Sequence, residues 1–152
     1  MVIYLIYAST SGNVEVTMEF IGKLLKKKGF EVFLSRSEKT AIETVLKNSL
    51  FVFGTSTWDH GKLNPFFANL YNEMQDQKFL GKQAAFVGLG DRRYEPILFC
   101  EGIIKVRQLW LRQGGEEIVS TLQVQGEPYS QLESIVSPWA VNLAKTWLEY
   151  ND

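Results

Sequence analysis

Apolar positions fall along this chain in alternating blocks of two kinds. Val2–Ala8, "VIYLIYA", is nearly unbroken apolar and β-prone; it predicts a strand buried on both faces. Over residues 13–28 the period changes. Val14, Thr17, Met18, Ile21, Leu24 and Leu25 share one face at i, i+3/i+4, i+7 spacing, which predicts an amphipathic helix. Lys26, Lys27 and Lys28 meet the negative end of that helix, and Gly29 is a stop signal. "EVFLSR", Glu31–Arg36, alternates polar and apolar residues and predicts a strand near a sheet edge. Residues 49–58, "SLFVFGTSTW", predict a short apolar strand that runs into a polar loop at Thr55. A helical pattern covers 64–74, and "KQAAFVGLG" at 82–90 predicts a further buried strand. Residues 99–113 are helical with Ile103, Val106 and Trp110 inward, ending at Gly114 and Gly115. Residues 116–124 predict a fifth strand. A last helix, about 131–149, carries Leu132, Ile135, Val136, Trp139, Leu143 and Trp147 on one face, with Pro138 delaying or kinking its start.

Five strands alternating with helices imply βαβ units, right-handed crossovers and a parallel sheet covered on both faces. The fold class is therefore a doubly wound α/β sheet. With no repeat, low-complexity tract or linker, residues 1–152 are expected to form a single domain. In such sheets ligands bind beyond the carboxyl ends of the strands, where strand order switches. Three loops sit there: 9–13, 55–61 and 89–96.

Composition narrows the chemistry. Hydrophobic content of 45% and aromatic content of 13% suit a globular protein. A formal net charge of -1 points to no nucleic acid and no acidic surface. No apolar run is long enough to cross a bilayer, and no signal-peptide pattern precedes the first strand, so a cytoplasmic location is expected. Cys100 is the one cysteine and His60 the one histidine. That argues against a metal site built from Cys and His clusters. A Ser-His or Cys-His mechanism has to use His60, and nothing near it looks like a nucleophile elbow.

The first loop, Ser9-Thr10-Ser11-Gly12-Asn13, has the make-up of an anion cradle. Its hydroxyls donate, Gly12 permits close backbone approach, and the N–H groups of a helix start point at a ligand. It lacks lysine and arginine and matches neither a Walker loop nor G-x-G-x-x-G, so a terminal monophosphate held by dipoles fits it best. Plain helix capping by Ser11 or Asn13 explains the same residues equally well. In the second loop, Trp58 is either a lid over core edges or a stacking platform for an aromatic ligand. The third, "GLGDRRYEP", adds Tyr94 after Gly90 and Asp91. Two aromatics beside a phosphate cradle suggest a flat ring clamped between them with a phosphate tail.

"STSGN" after the first strand, "STW" after the third and "GLGDRRYE…FC" after the fourth resemble the three cofactor loops of the flavodoxins, in order and spacing over nearly the whole chain. The resemblance is to the short-chain branch, since the fifth strand has no long insertion. It implies a flavodoxin-like doubly wound five-stranded parallel sheet and one non-covalent FMN. By it, Ser9, Thr10, Ser11, Gly12, Asn13 and the Val14 amide hold the FMN phosphate, with Ser56 closing from the second loop. Thr57, Trp58, Asp59 and Gly61 belong to the second ring loop, where Trp58 covers one face of the isoalloxazine. Tyr94 stacks on the other face. Leu89, Gly90 and Asp91 meet the pyrimidine edge, and Cys100 packs nearby without a redox role.

Four departures from the family pattern stand out. Val14 occupies a place usually held by threonine, which removes a hydroxyl; a hydrogen bond to a charged group is worth ~1.5–3 kcal/mol. Asp59 replaces a frequent glycine at a peptide that flips on one-electron reduction, and a left-handed backbone costs a non-glycine ~1–2 kcal/mol. Arg92 and Arg93 lie in a ring loop that is usually neutral or acidic; either they favour the anionic reduced flavin or salt screens them. His60 adds a pH-dependent charge or simply faces solvent. Finally, the near-zero net charge removes global steering, leaving local pairs such as Glu15/Glu19 and Glu127/Glu133.

The resemblance implies a low-potential electron carrier that shuttles single electrons and has no acid–base catalytic residue. Its expected partners are a flavodoxin/ferredoxin reductase-type donor and acceptor redox enzymes, with no nucleic acid or membrane involved and a monomeric state. The alternative is a dedicated activator of one radical or metal-containing enzyme. A receiver-like regulatory module fits poorly, because the first strand ends in Tyr7-Ala8-Ser9 where acidic residues are wanted.

Overall fold

The strand predicted first is flanked on both sides, and its neighbours explain its composition. In the computed structural model, which describes residues 1–58, 61–93 and 99–150, β1 (Val2–Ala8) pairs in parallel with β2 (Glu31–Arg36) and with β3 (Leu50–Trp58). β5 (Gln83–Gly90) pairs in parallel with the other side of β3. The far edge is β6 (Glu116–Glu117) and β7 (Leu122–Gln125), both parallel to β5. The order is β2-β1-β3-β5-β6/β7, so the chain reverses direction of travel between β1 and β3. A short β4 (Lys62–Leu63) adds antiparallel to the end of β3.

Alternation along the strands divides the apolar residues between two cores. Ile3, Leu5 and Tyr7 face α1 (Asn13–Lys27) and α5 (Ser137–Tyr150), which contribute Val14, Met18, Ile21, Leu25, Leu143 and Trp147. Ile6, Ala8, Phe51, Phe53 and Phe86 face the other way. There they meet α3 (Ala68–Met74) and α4 (Glu101–Arg112) through Leu70, Met74, Ile103, Val106 and Trp110. Helices therefore cover both faces, as the buried strand patterns require. A short α2 (Ile42–Lys47), not anticipated from the sequence, joins β2 to β3.

Three expectations need correction. The polar stretch from Thr55 is not yet loop: β3 continues to Trp58 because Thr57 and Trp58 pair with Leu63 and Lys62. The fifth strand is interrupted. β5 takes three steps from Ala84 to Val87 while the edge takes five, from Glu117 to Leu122, so two extra residues bulge outward. Glu117 holds the bulge by accepting from Arg107 Nε at 2.9 Å and Thr121 Oγ1 at 2.8 Å, and Trp139 Nε1 donates to Ser120 O at 2.8 Å. Third, Ile135 is 45% exposed, although Val136, Leu143 and Trp147 are buried. A π-turn over Leu132–Val136 precedes Pro138, and its wider i→i+5 spacing shifts the helical phase that the pattern assumed. The predicted helix at 64–74 begins with a 3₁₀ turn, Pro65–Phe67, capped by Asn64.

The start of α4 touches the site strand closely at Gly102. Gly102 N donates to Thr57 Oγ1 at 3.1 Å. A Cβ on Gly102 would lie 2.8 Å from Ser56 O and 3.2 Å from Thr57 Cα, backbone atoms that cannot swing away. An ordinary helical Gly→Ala change gains about 1 kcal/mol. Overpacking against backbone costs about 1–3 kcal/mol. Gly102→Ala is therefore expected to forfeit the usual gain and to lower unfolding free energy by up to about 2 kcal/mol in urea denaturation; a gain in stability contradicts this packing.

Candidate functional site

At the switch point the chain leaves β1 and turns into α1. Gly12 is the N-cap, with φ 93°, a left-handed conformation that glycine adopts without strain. Ser9 Oγ accepts from Gly12 N at 3.1 Å and Glu15 N at 3.4 Å, and the helix ladder begins at Val16 N to Gly12 O, 3.0 Å. The amides of Asn13 and Val14 thus lie in the first turn, where helix geometry supplies no acceptor. Capping by Ser11 or Asn13 is not what forms this start, since the cap residue is Gly12 and has no side-chain cap bond. Val14 turns its side chain into the core, 2% exposed.

Two residues outside the predicted set hold this loop. Asn64, fully buried, donates from Nδ2 to Thr10 Oγ1 and to Ser56 Oγ, both at 2.9 Å, and accepts from Phe66 N at 2.9 Å. It ties the first loop to the end of β3. Arg36, at the end of β2, donates from Nη2 to Ser9 O at 2.5 Å and from Nε to Glu38 Oε1 at 3.0 Å. Beside it Tyr7 donates its hydroxyl to Glu15 Oε1 at 2.5 Å. Burial, then the Glu15 carboxylate, pushes the Tyr7 phenol up to about 12.

The third loop is tied to the chain after β7. Asp91 accepts from Arg93 N at 2.9 Å and pairs with the Arg93 guanidinium at 2.6–3.1 Å. Gln125 Nε2 donates to Asp91 Oδ1 at 3.0 Å while Gln125 Oε1 accepts from Arg92 N at 2.9 Å. Gly126 N donates to Gly90 O at 2.8 Å. Arg93, and after it Gln125, hold the Asp91 carboxyl well below the usual carboxylate range. Arg93 is thus locally neutralised, and the Arg92 guanidinium lies 4.1 Å from the Phe99 ring centroid.

These loops enclose a cleft of about 360 Å³, within the size range of small-molecule sites. Ser9, Thr10, Ser11, Asn13 and Val14 form one wall; Ser56 and Thr57 form the floor side; Leu89, Gly90 and Asp91 form the third wall. Arg93, Gly126 and Glu127 complete it. Of the other expected site residues, Gly12 caps α1 between the lining residues Ser11 and Asn13, and Trp58, which follows the lining residue Thr57, is 40% exposed. Gly61 has φ 75°. Cys100 is buried behind Gly90, whose missing Cβ would lie 3.0 Å from Cys100 N; Cys100 itself adopts φ 55°. Asp59, His60 and Tyr94 lie outside the described residues. Among the described residues, no group of three His, Cys, Asp or Glu is placed to hold a metal, and no helix is long and apolar enough to cross a membrane.

The cleft suits a phosphorylated flavin. One end offers a helix start, amides without helical acceptors and hydroxyls; the other offers backbone edges of Leu89, Gly90 and Asp91. Gly126 and Glu127 lie outside the three predicted loops, on the chain that leaves β7 at the same sheet edge. Asn64 carried one signal, Asn before Pro, which reads only as a helix cap.

The Asp91 latch has a pH signature. A carboxyl whose folded pKa is depressed stabilises the fold above its unfolded pKa and loses that contribution as pH falls through the folded value. NMR titration of Asp91 Cγ is therefore expected to give a midpoint clearly below the free value of about 3.9; a midpoint at or above it contradicts the latch.

The flavodoxin family profile matches residues 5–139. A probable flavodoxin 2 of Bacillus subtilis is 27% identical over 149 residues, covering 94% of each chain. A flavodoxin of Maridesulfovibrio salexigens is 26% identical, over 92% of this chain and 94% of its own. The crystal structure of oxidised flavodoxin 2 from Bacillus cereus superposes with a TM-score of 0.88 at 28% identity, covering 95% of this chain and 99% of its own. The parallel sheet with helices on both faces matches the flavodoxin fold. The chain belongs to the flavodoxin family, the electron-transfer flavoproteins that carry electrons on FMN and are not catalytic enzymes.

Proposed function

We propose that residues 1–152 form one FMN-binding unit whose cleft at the β1/β3 switch point is the cofactor site. Flavodoxins are themselves a standard instance of ligand binding at such a point. The observation that carries this reading is the start of α1, where a glycine cap leaves first-turn amides and the loop hydroxyls facing a cleft of suitable size. Ser9, Thr10, Ser11, Gly12, Asn13 and the Val14 amide hold the phosphate, with Ser56 and Thr57 at its side. Trp58 and Tyr94 cover the ring faces, Asp59 and Gly61 belong to the adjoining loop, and Leu89, Gly90 and Asp91 meet the ring edge. Cys100 supports Gly90 from behind. Bound FMN supplies the one-electron chemistry; the chain's groups bind it, orient it and set the charge around it. Among the lining residues, Asp91 pairs with Arg93 and Glu127 adds a further carboxylate.

The protein acts as a low-potential carrier between a reductase-type donor and acceptor redox enzymes, as a cytoplasmic monomer independent of nucleic acid and membranes. Purified protein incubated with FMN is expected to turn yellow and to accept electrons in two one-electron steps. A colourless preparation that ignores added FMN overturns the reading.

Val14 offers a second test. Its side chain borders the cleft yet belongs to the core, so the grip lacks one hydroxyl. Val14→Thr is expected to tighten FMN binding by about tenfold or more, the scale of one hydrogen bond to a charged group. Unchanged affinity in a flavin fluorescence titration means that the hydroxyl does not reach the phosphate.

A further inference from the structure

The Ser9–Asn13 loop contains no cation, yet a guanidinium grips it from outside the cleft. Arg36 lies 5.6 Å from the ring centroids of both Tyr7 and Phe66. Its Nη2 donates to Ser9 O at 2.5 Å, and its Nε donates to Glu38 Oε1 at 3.0 Å. Nη1 lies 3.9 Å from Glu15 Oε1. Two carboxylates therefore offset the one positive charge, and little of its field is left to attract an anion across the loop. What remains is geometry.

The peptide between Ser9 and Thr10 is trans, as all described peptides are, so its N–H points opposite to its C=O. A Ser9 carbonyl anchored on Arg36 turns the Thr10 N–H to the opposite side, where Thr10 lines the cleft. Asn64 holds the Thr10 hydroxyl at the same time. Asn64 also binds Phe66 N, and Phe66 is one of the two rings that flank Arg36. Consecutive residues of the loop are thus fixed by two side chains that share a neighbour.

We propose that Arg36 is a positioning residue for the phosphate site: it orients the Ser9–Thr10 peptide toward the anion through a planar, forked contact and not through its charge. This rests on the reading of the Ser9–Asn13 loop as the phosphate grip. Lysine keeps the charge but has a compact, strongly hydrated head that cannot reproduce a flat fork between two rings.

The test compares FMN with riboflavin, the same ring system without the phosphate. Dissociation constants are measured by flavin fluorescence at one ionic strength for wild type, Arg36→Lys and Arg36→Met. Both variants are expected to lose about tenfold in FMN affinity, the effect of misplacing one donor to a charged group, and to bind riboflavin within twofold of wild type. Riboflavin binding also reports that each variant is folded, and Arg36→Lys alone suffices if Arg36→Met is unstable. Wild-type FMN affinity in Arg36→Lys overturns the proposal in favour of charge. Equal loss for both flavins overturns it in favour of a merely structural role. A wild-type protein that binds riboflavin as tightly as FMN overturns the phosphate reading of the loop, and the proposal with it.

Discussion

Strand register places the whole cleft. Parallel pairing sets Ala8 beside Thr55, Ser56 beside Leu89 and Gly90 beside Gln125. The residues that follow these positions are Ser9, Ser56, Thr57, Gly90, Asp91 and Gly126, all lining the cleft. A slip of one residue in β1 or β3 would also turn Ile6, Ala8, Phe51 and Phe53 away from their core. The burial that fixes the register therefore fixes the site. Fold stability and site geometry are one constraint here, because the sheet has no freedom to move one loop without moving an apolar face.

Within that frame, the site works with dipoles and neutralised charges. Arg36 is matched by Glu38 and Glu15, and Arg93 by Asp91. At the Ser9–Asn13 side of the cleft the helix start contributes about half an elementary positive charge. This accounts for a binding loop with no lysine or arginine in a protein of net charge -1. It also explains why the supporting side chains matter. A grip made of amides depends on how each peptide is turned, and peptides are turned by what their carbonyls bind.

Much of this was legible in the chain. β1 and β2 begin and end where the apolar pattern says, and α1 buries Val14, Met18, Ile21 and Leu25 as its period predicts. The loops that line the cleft were readable because strand ends and helix starts impose local residue types. Two kinds of feature were not. Ile135 and the bulge after Glu117 depend on helical phase and edge pairing, which composition does not encode. Arg36 and Asn64 reach Ser9 and Thr10 across 27 and 54 residues of sequence. Arg36 looks like the polar end of an edge strand and Asn64 like a helix cap. Only the β2–β1–β3 order brings them to the same loop.

The most direct test of the account is the backbone ¹⁵N–¹H spectrum of the protein titrated with FMN. The account predicts that the largest shifts cluster on the amides of Thr10, Ser11, Gly12, Asn13 and Val14 and on those of Leu89, Gly90 and Asp91, at the carboxyl edge of the sheet. Shifts centred elsewhere, or none at saturating FMN, would contradict it.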